Sequence, residues 1–150
     1  MSYIITKGKT DQVERIFTVN HEIFKDMYEK PPYTLEYYHE KIADVEPIIF
    51  VAEFDNEIIG NSISFERNDS LYVWVLGVAE YSRRQGIATK LFDKNEEFAR
   101  ENKLATVTVK VYNVSTEMLR LLLGRGYNII DVEKSDSDSK YNIVHLELLT

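Results

Sequence analysis

Nine mostly apolar residues in succession, Leu71 to Ala79, lead into Arg83-Arg84-Gln85-Gly86-Ile87-Ala88, and there the period of the apolar positions changes. Up to Ala79 the run is continuous and reads as a long apolar strand. From Gly86 to Arg100, Ile87, Ala88, Leu91, Phe92, Phe98 and Ala99 recur on one broad face, as in an amphipathic helix. Ala105-Thr106-Val107-Thr108-Val109-Lys110-Val111 then alternates apolar with polar or charged residues, the period of a half-covered strand. Strand, helix and strand in this order close as a right-handed crossover, so Leu71–Ala79 and Ala105–Val111 should be parallel. That unit places the chain in the mixed α/β (α+β) class.

The flanking segments add antiparallel strands and further helices. Tyr3 to Thr6 is β-prone, and Asp11 is placed to cap a helix with Val13, Ile16, Phe17, Phe24 and Met27 at helical spacing, ended by Pro31-Pro32. Thr34 to Ile42 reads as a second helix with Leu35, Tyr38 and Ile42 along one side. Ile48–Phe54 and Ile58–Phe65 flank the hairpin signal Asp55-Asn56-Glu57, and Arg67-Asn68-Asp69-Ser70 turns the chain into the long apolar strand. Ser115 to Leu123 is helical, with Ser115 or Thr116 as cap and Gly124 or Gly126 as stop. Tyr127–Val132 and Tyr141–Leu149 are the last strands, joined by the polar loop Ser135-Asp136-Ser137-Asp138-Ser139-Lys140. Tyr141–Leu149 is expected at a sheet edge, where it offers a route to a homodimer.

At 150 residues the chain is expected to form one domain, 1–150, large enough to bury a core. No stretch approaches the ~18 apolar residues of a spanning helix. The start Met1-Ser2-Tyr3-Ile4-Ile5-Thr6-Lys7 has no apolar signal core, and there is no cysteine, so a cytoplasmic protein is expected, without a membrane partner. A net charge of -7 argues against nucleic acid as partner. His21, His39 and His145 are scattered, without ligand spacing, so no metal is expected.

Against this acidic background the loop is locally basic: Arg83, Arg84 and Lys90 fall between Glu80 and Asp93 with no acid among them. A helix N-terminus presents unpaired N–H groups and the positive end of the helix dipole, which suits an anion such as phosphate. Gly86 lets a ligand approach the backbone. The same residues also describe an ordinary exposed, basic helix start, and their context has to decide.

The order strand, two helices, three strands, helix, strand, helix, two strands resembles the GCN5-related N-acetyltransferase (GNAT) family. The family signature of Arg or Gln, two residues, Gly, one residue, then Gly or Ala is matched by Arg83-x-x-Gly86-x-Ala88, preceded by Val78, and Gly126-Tyr127 matches a Gly-aromatic pair near the end of the later helix. The resemblance covers essentially the whole chain. It implies a mostly antiparallel sheet of about seven strands flanked by about four helices, with one parallel pair at the cofactor site. It also implies acetyl-CoA as co-substrate, its pyrophosphate held by backbone amides of Arg83, Arg84, Gln85, Gly86, Ile87, Ala88 and Thr89. Its pantetheine arm would run along Leu76, Gly77 and Val78 where the parallel strands splay. Gly77 either serves that approach or marks a strand bulge. Asn113 and Ser115 are further cofactor contacts under this reading, or simply a helix cap.

Many members place a base glutamate on the strand before the phosphate loop, and by spacing from Arg83 that position holds Tyr72 here. A tyrosine four residues before the Gly-aromatic pair often serves as acid, and that position holds Leu122. Glu66 acting through water, Tyr72 and Tyr112 are the replacement candidates; as turn or packing residues they have ordinary explanations too. The function expected is acetyl transfer from acetyl-CoA to a primary amine of a small molecule, peptide or protein by direct attack. Tyr28, Tyr33, Tyr37, Tyr38, Tyr72 and Trp74 are candidates for an aromatic acceptor pocket. The alternative is a weak or inactive CoA-binding sensor or interaction module. A P-loop nucleotide site is disfavoured by the absence of Gly-x-x-x-x-Gly-Lys-Ser/Thr.

Overall fold

The structure is a computed structural model that describes residues 2–25, 33–134 and 141–150. Its elements follow the expected order: β1 (Ile4–Lys7), α1 (Val13–Phe24), α2 (Leu35–Asp44), β2 (Ile48–Phe54), β3 (Glu57–Arg67), β4 (Ser70–Val78), α3 (Ile87–Glu101), β5 (Thr106–Tyr112), α4 (Thr116–Gly124), β6 (Asn128–Glu133) and β7 (Ile143–Leu149). The strands lie in a seven-stranded sheet of order β1-β2-β3-β4-β5-β7-β6. Two compact units divide the chain: residues 1–65 with 75–94, and residues 66–74 with 95–150.

In the first unit β2 pairs antiparallel with β1 and with β3. Asp55 and Asn56 take positive φ angles of 51° and 64°, the pair that a tight hairpin turn needs to match strand twist. Val13 and Ile16 of α1, Ile49 and Val51 of β2, Ile59 and Ile63 of β3, and Ile87, Leu91 and Phe92 of α3 are all buried. Two glycines allow close helix approach. A Cβ on Gly60 would lie 2.8 Å from Ile87 Cγ2, and one on Gly77 would lie 2.9 Å from Asn20 Oδ1 and 3.0 Å from Ile23 Cδ1. The space beside Gly77 is therefore taken up by α1.

Asn20 and Asn61, both buried, exchange side-chain hydrogen bonds: Asn61 Nδ2 donates to Asn20 Oδ1 at 2.8 Å and Asn20 Nδ2 to Asn61 Oδ1 at 3.1 Å. Asn20 Nδ2 also donates to the Tyr38 hydroxyl at 3.1 Å. Loss of solvent raises the Tyr38 pKa to about 12; the Asn20 hydrogen bond acts in the opposite direction and Tyr33 adds to the rise. A raised folded-state pKa means the neutral phenol is favoured by folding, so its contribution is present below the ordinary value of 10.0 and is lost as pH climbs towards about 12. Urea midpoints measured at stepped alkaline pH should fall across that window, and Tyr38→Phe should remove part of the fall.

The second unit contains the crossover. Ser70–Val73 pairs in parallel with Thr106–Val109, as the sequence pattern requires. Asn68 and Asp69, at φ 50° and 65°, make the preceding hairpin turn. Leu71, Val73, Val107, Val109, Leu122, Val144 and Leu146 form an apolar core. Beside it Glu96 of α3 accepts a two-pronged bond from Arg125, Nε to Oε2 at 3.0 Å and Nη2 to Oε1 at 2.8 Å, and a third from the Tyr127 hydroxyl at 2.9 Å. Burial first, and Glu96 second, push the Tyr127 phenol far above its usual value.

Several expectations change. β7 pairs with β5 on one side and β6 on the other, so Tyr141–Leu149 is interior and the edge falls to β6. Chain order hid this, because the hairpin folds its first strand outward and inserts its second beside β5. A dimer through the β7 backbone is thus excluded. Asp11 does not cap α1; it lies in a 3-10 turn, Thr10–Gln12, where Gln12 Oε1 accepts from Lys9 N–H at 2.8 Å. Helix α3 starts at Ile87, because Gly86 has a left-handed backbone, φ 76°. Met27, Tyr28, Pro31-Pro32 and Ser135–Lys140 lie outside the described residues.

Candidate functional site

Strand β4 ends at Val78, and the Ala79 N–H donates back to the Ile59 carbonyl of β3 at 2.8 Å. Strand alternation therefore turns the Val78 N–H and C=O away from β3. Arg83 Nε donates to that Val78 carbonyl at 3.3 Å. A short 3-10 turn, Glu80–Ser82, separates the strand from the loop. Arg84 and Gly86 then take positive φ, 66° and 76°.

The Gly86 carbonyl accepts the Lys90 N–H at 3.0 Å, the first bond of the α3 ladder. Helix geometry leaves the N–H groups of Gly86, Ile87 and Ala88 without an acceptor one turn earlier in the helix. No acidic residue lies in the first turn. A Cβ built on Gly86 would meet nothing within 4 Å, so open space adjoins this helix end. Arg83, Arg84 and Lys90 are exposed, and Lys90 Nζ sits 5.2 Å from the centroid of the Tyr3 ring. Tyr3 in turn donates its hydroxyl to the Gln85 carbonyl at 3.0 Å. The sequence leaves Tyr3 unmarked because the contact joins residues 82 apart and follows no local period. Basic side chains, a helix dipole and outward amides over open space form an anion cradle. Leu76, Gly77, Val78 and Arg83 to Thr89 thus share the first unit.

Glu66, Tyr72, Tyr112, Asn113 and Ser115 belong to the second unit. Glu66 is exposed at the end of β3. The half-buried Tyr72 ring lies 4.7 Å from the Arg67 guanidinium carbon and 5.7 Å from Lys110 Nζ, so it packs against two cations. Tyr112 meets Tyr141 edge to face at 6.3 Å. Asn113 donates its backbone N–H to the Asn142 carbonyl at 2.9 Å, and among the described residues its buried Oδ1 accepts no hydrogen bond. Ser115 stands at the cap position of α4 without its side chain capping the helix.

Among the aromatic candidates, Tyr33 and Tyr37 stack at 4.9 Å on exposed surface, whereas Tyr38 and Trp74 are buried. Among the described residues no His, Cys, Asp or Glu group is arranged to hold a metal ion, and no helix is long and apolar enough to cross a membrane.

Seven strands with a single parallel pair, and a phosphate-type helix end directly after the first strand of that pair, define an acetyltransferase fold of the GNAT type. Residues 12–127 match the model of the acetyltransferase (GNAT) family, and the chain belongs to that family. Its fold is shared with the ribosomal-protein-S18-alanine N-acetyltransferase from Escherichia coli, at 12% identity and a TM-score of 0.85 over 99% of this chain and 94% of that one. Ard1 from Thermoplasma volcanium is similar at 16% identity and a TM-score of 0.84, covering 99% and 98% of the two chains. A chain of the NatC complex bound to Gag peptide and CoA is similar at 17% identity and a TM-score of 0.81, covering 100% and 99%. No curated protein sequence matches the chain significantly.

Proposed function

We propose that this protein is an N-acetyltransferase that uses acetyl-CoA as donor and a primary amine of a small molecule, peptide or protein as acceptor. The observation that carries the reading is the loop Arg83–Thr89, whose first-turn amides face open space at Gly86 in a chain of the GNAT family. The cradle fits a pyrophosphate: backbone donors and the α3 dipole meet its charge, while Arg83, Arg84 and Lys90 supply countercharge. Leu76 and Val78 offer outward backbone groups to an extended amide-bearing arm, in the manner of an added strand.

Transfer joins the amine nitrogen to the acetyl carbonyl carbon and releases the CoA thiol. The Val78 N–H, directed away from β3, is the group we assign to polarise the carbonyl oxygen. A protonated amine cannot attack, so it must lose a proton first. With Glu66 in open solvent, we assign that deprotonation to water and much of the rate effect to orientation of the reactants. Incubation with acetyl-CoA and a panel of free-amino-terminal peptides and small amines should release thiol faster than the amine-free control. Thiol release indistinguishable from that control across a broad panel would sink the enzyme reading.

One observation favours the alternative of a CoA-binding module without turnover. Leu122, at the position where the family often has an acidic tyrosine, is completely buried in the apolar core. Tight CoA binding with no thiol release is the result that would select this alternative.

A further inference from the structure

Tyr3 precedes β1, far from the loop in sequence, yet its hydroxyl donates to Gln85 O at 3.0 Å and its ring carries Lys90 Nζ at 5.2 Å. A trans peptide is planar, with its carbonyl and the following N–H on opposite sides. Anchoring the Gln85 carbonyl towards Tyr3 therefore turns the Gly86 N–H away from Tyr3. Gly86 carries no Cβ and touches nothing at that position, so neither sterics nor neighbouring atoms on that side restrain its peptide plane. Helix α3 fixes the amides from Ile87 onward, but the peptide just before the helix needs another anchor.

We propose that Tyr3 is a positioning residue for the donor loop: its hydroxyl locks the Gln85–Gly86 peptide with the Gly86 N–H directed at the CoA pyrophosphate, and its ring seats Lys90 at the same helix end. This rests on the reading of Arg83–Thr89 as the pyrophosphate cradle. Tyr3 touches no reacting atom; it acts through the loop. Because the effect is confined to the pyrophosphate, it must vanish for a ligand that lacks one.

Calorimetric titration of CoA and of pantetheine, which has no pyrophosphate, tests this without requiring turnover. Tyr3→Phe keeps the ring and removes the hydroxyl, and it should weaken CoA binding about three- to tenfold, the effect of one lost hydrogen bond. Tyr3→Leu also removes the seat of Lys90 and should weaken CoA by roughly a further two- to fivefold. Pantetheine should bind both variants as it binds the parent protein. Equal weakening of CoA and pantetheine by Tyr3→Phe, or unchanged CoA binding in that variant, overturns the assignment while leaving the cradle standing. Undiminished CoA binding by Gly86→Glu overturns the cradle itself and the Tyr3 role with it.

Discussion

Gly86→Glu should lower acetyl-CoA affinity by at least about a hundredfold, since two like charges roughly 4 Å apart near a protein surface repel by about 4 kcal/mol. The new carboxylate would stand where the dipole and three cations now favour an anion, at a helix end whose first turn carries no acid. A Cβ meets nothing within 4 Å there, so the protein itself accommodates the side chain. The left-handed backbone adds a separate cost of about 1–2 kcal/mol to folding for any residue with a Cβ. Gly86→Ala carries that cost without the charge, and its affinity should drop by an order of magnitude less. Calorimetric titration of both variants separates the two effects; similar affinities for Ala and Glu would show that charge at this position is irrelevant.

Arg125→Met should destabilise the protein by about 3–5 kcal/mol, because it leaves the Glu96 carboxylate buried without its cation. The guanidinium makes two of the three hydrogen bonds that Glu96 accepts from Arg125 and Tyr127, and the pair is largely shielded, with side-chain exposures of 15% and 9%. A loss of that size is a large share of the roughly 5–15 kcal/mol that holds a typical domain together. Replacing Glu96, Arg125 and Tyr127 together by Leu, Met and Phe removes the carboxylate, the guanidinium and the hydroxyl of this cluster at once. That triple variant should recover most of the deficit, since apolar replacements of buried ion pairs are often neutral. Urea denaturation of both proteins measures the difference; a deficit below about 1 kcal/mol in Arg125→Met would show that solvent reaches Glu96 and replaces the lost partner.

The second unit also shows where a sequence pattern stops being informative. Alternation in Tyr141–Leu149 marked a strand, and β7 is one, but a periodic pattern reports which faces are covered and not which neighbours a strand has. Its position between β5 and β6 follows from how the last hairpin docks, a contact of long range. Asp11 illustrates a closer failure: its side chain suits a cap, but a preceding 3-10 turn moves the helix start to Val13 and lets Gln12 reach back to Lys9.

Sequence alone determined the element order, the parallel crossover between Leu71–Ala79 and Ala105–Val111, and the basic glycine loop at the start of α3. All three are set by local period, turn chemistry and the handedness of strand and helix, which act over a few residues. Only the tertiary structure decided which strand forms the edge, that α1 fills the space beside Gly77, that Glu96 holds Arg125 and Tyr127, and that Tyr3 reaches Gln85. Each of these joins residues distant in the chain, and such contacts depend on packing and burial that no local pattern encodes.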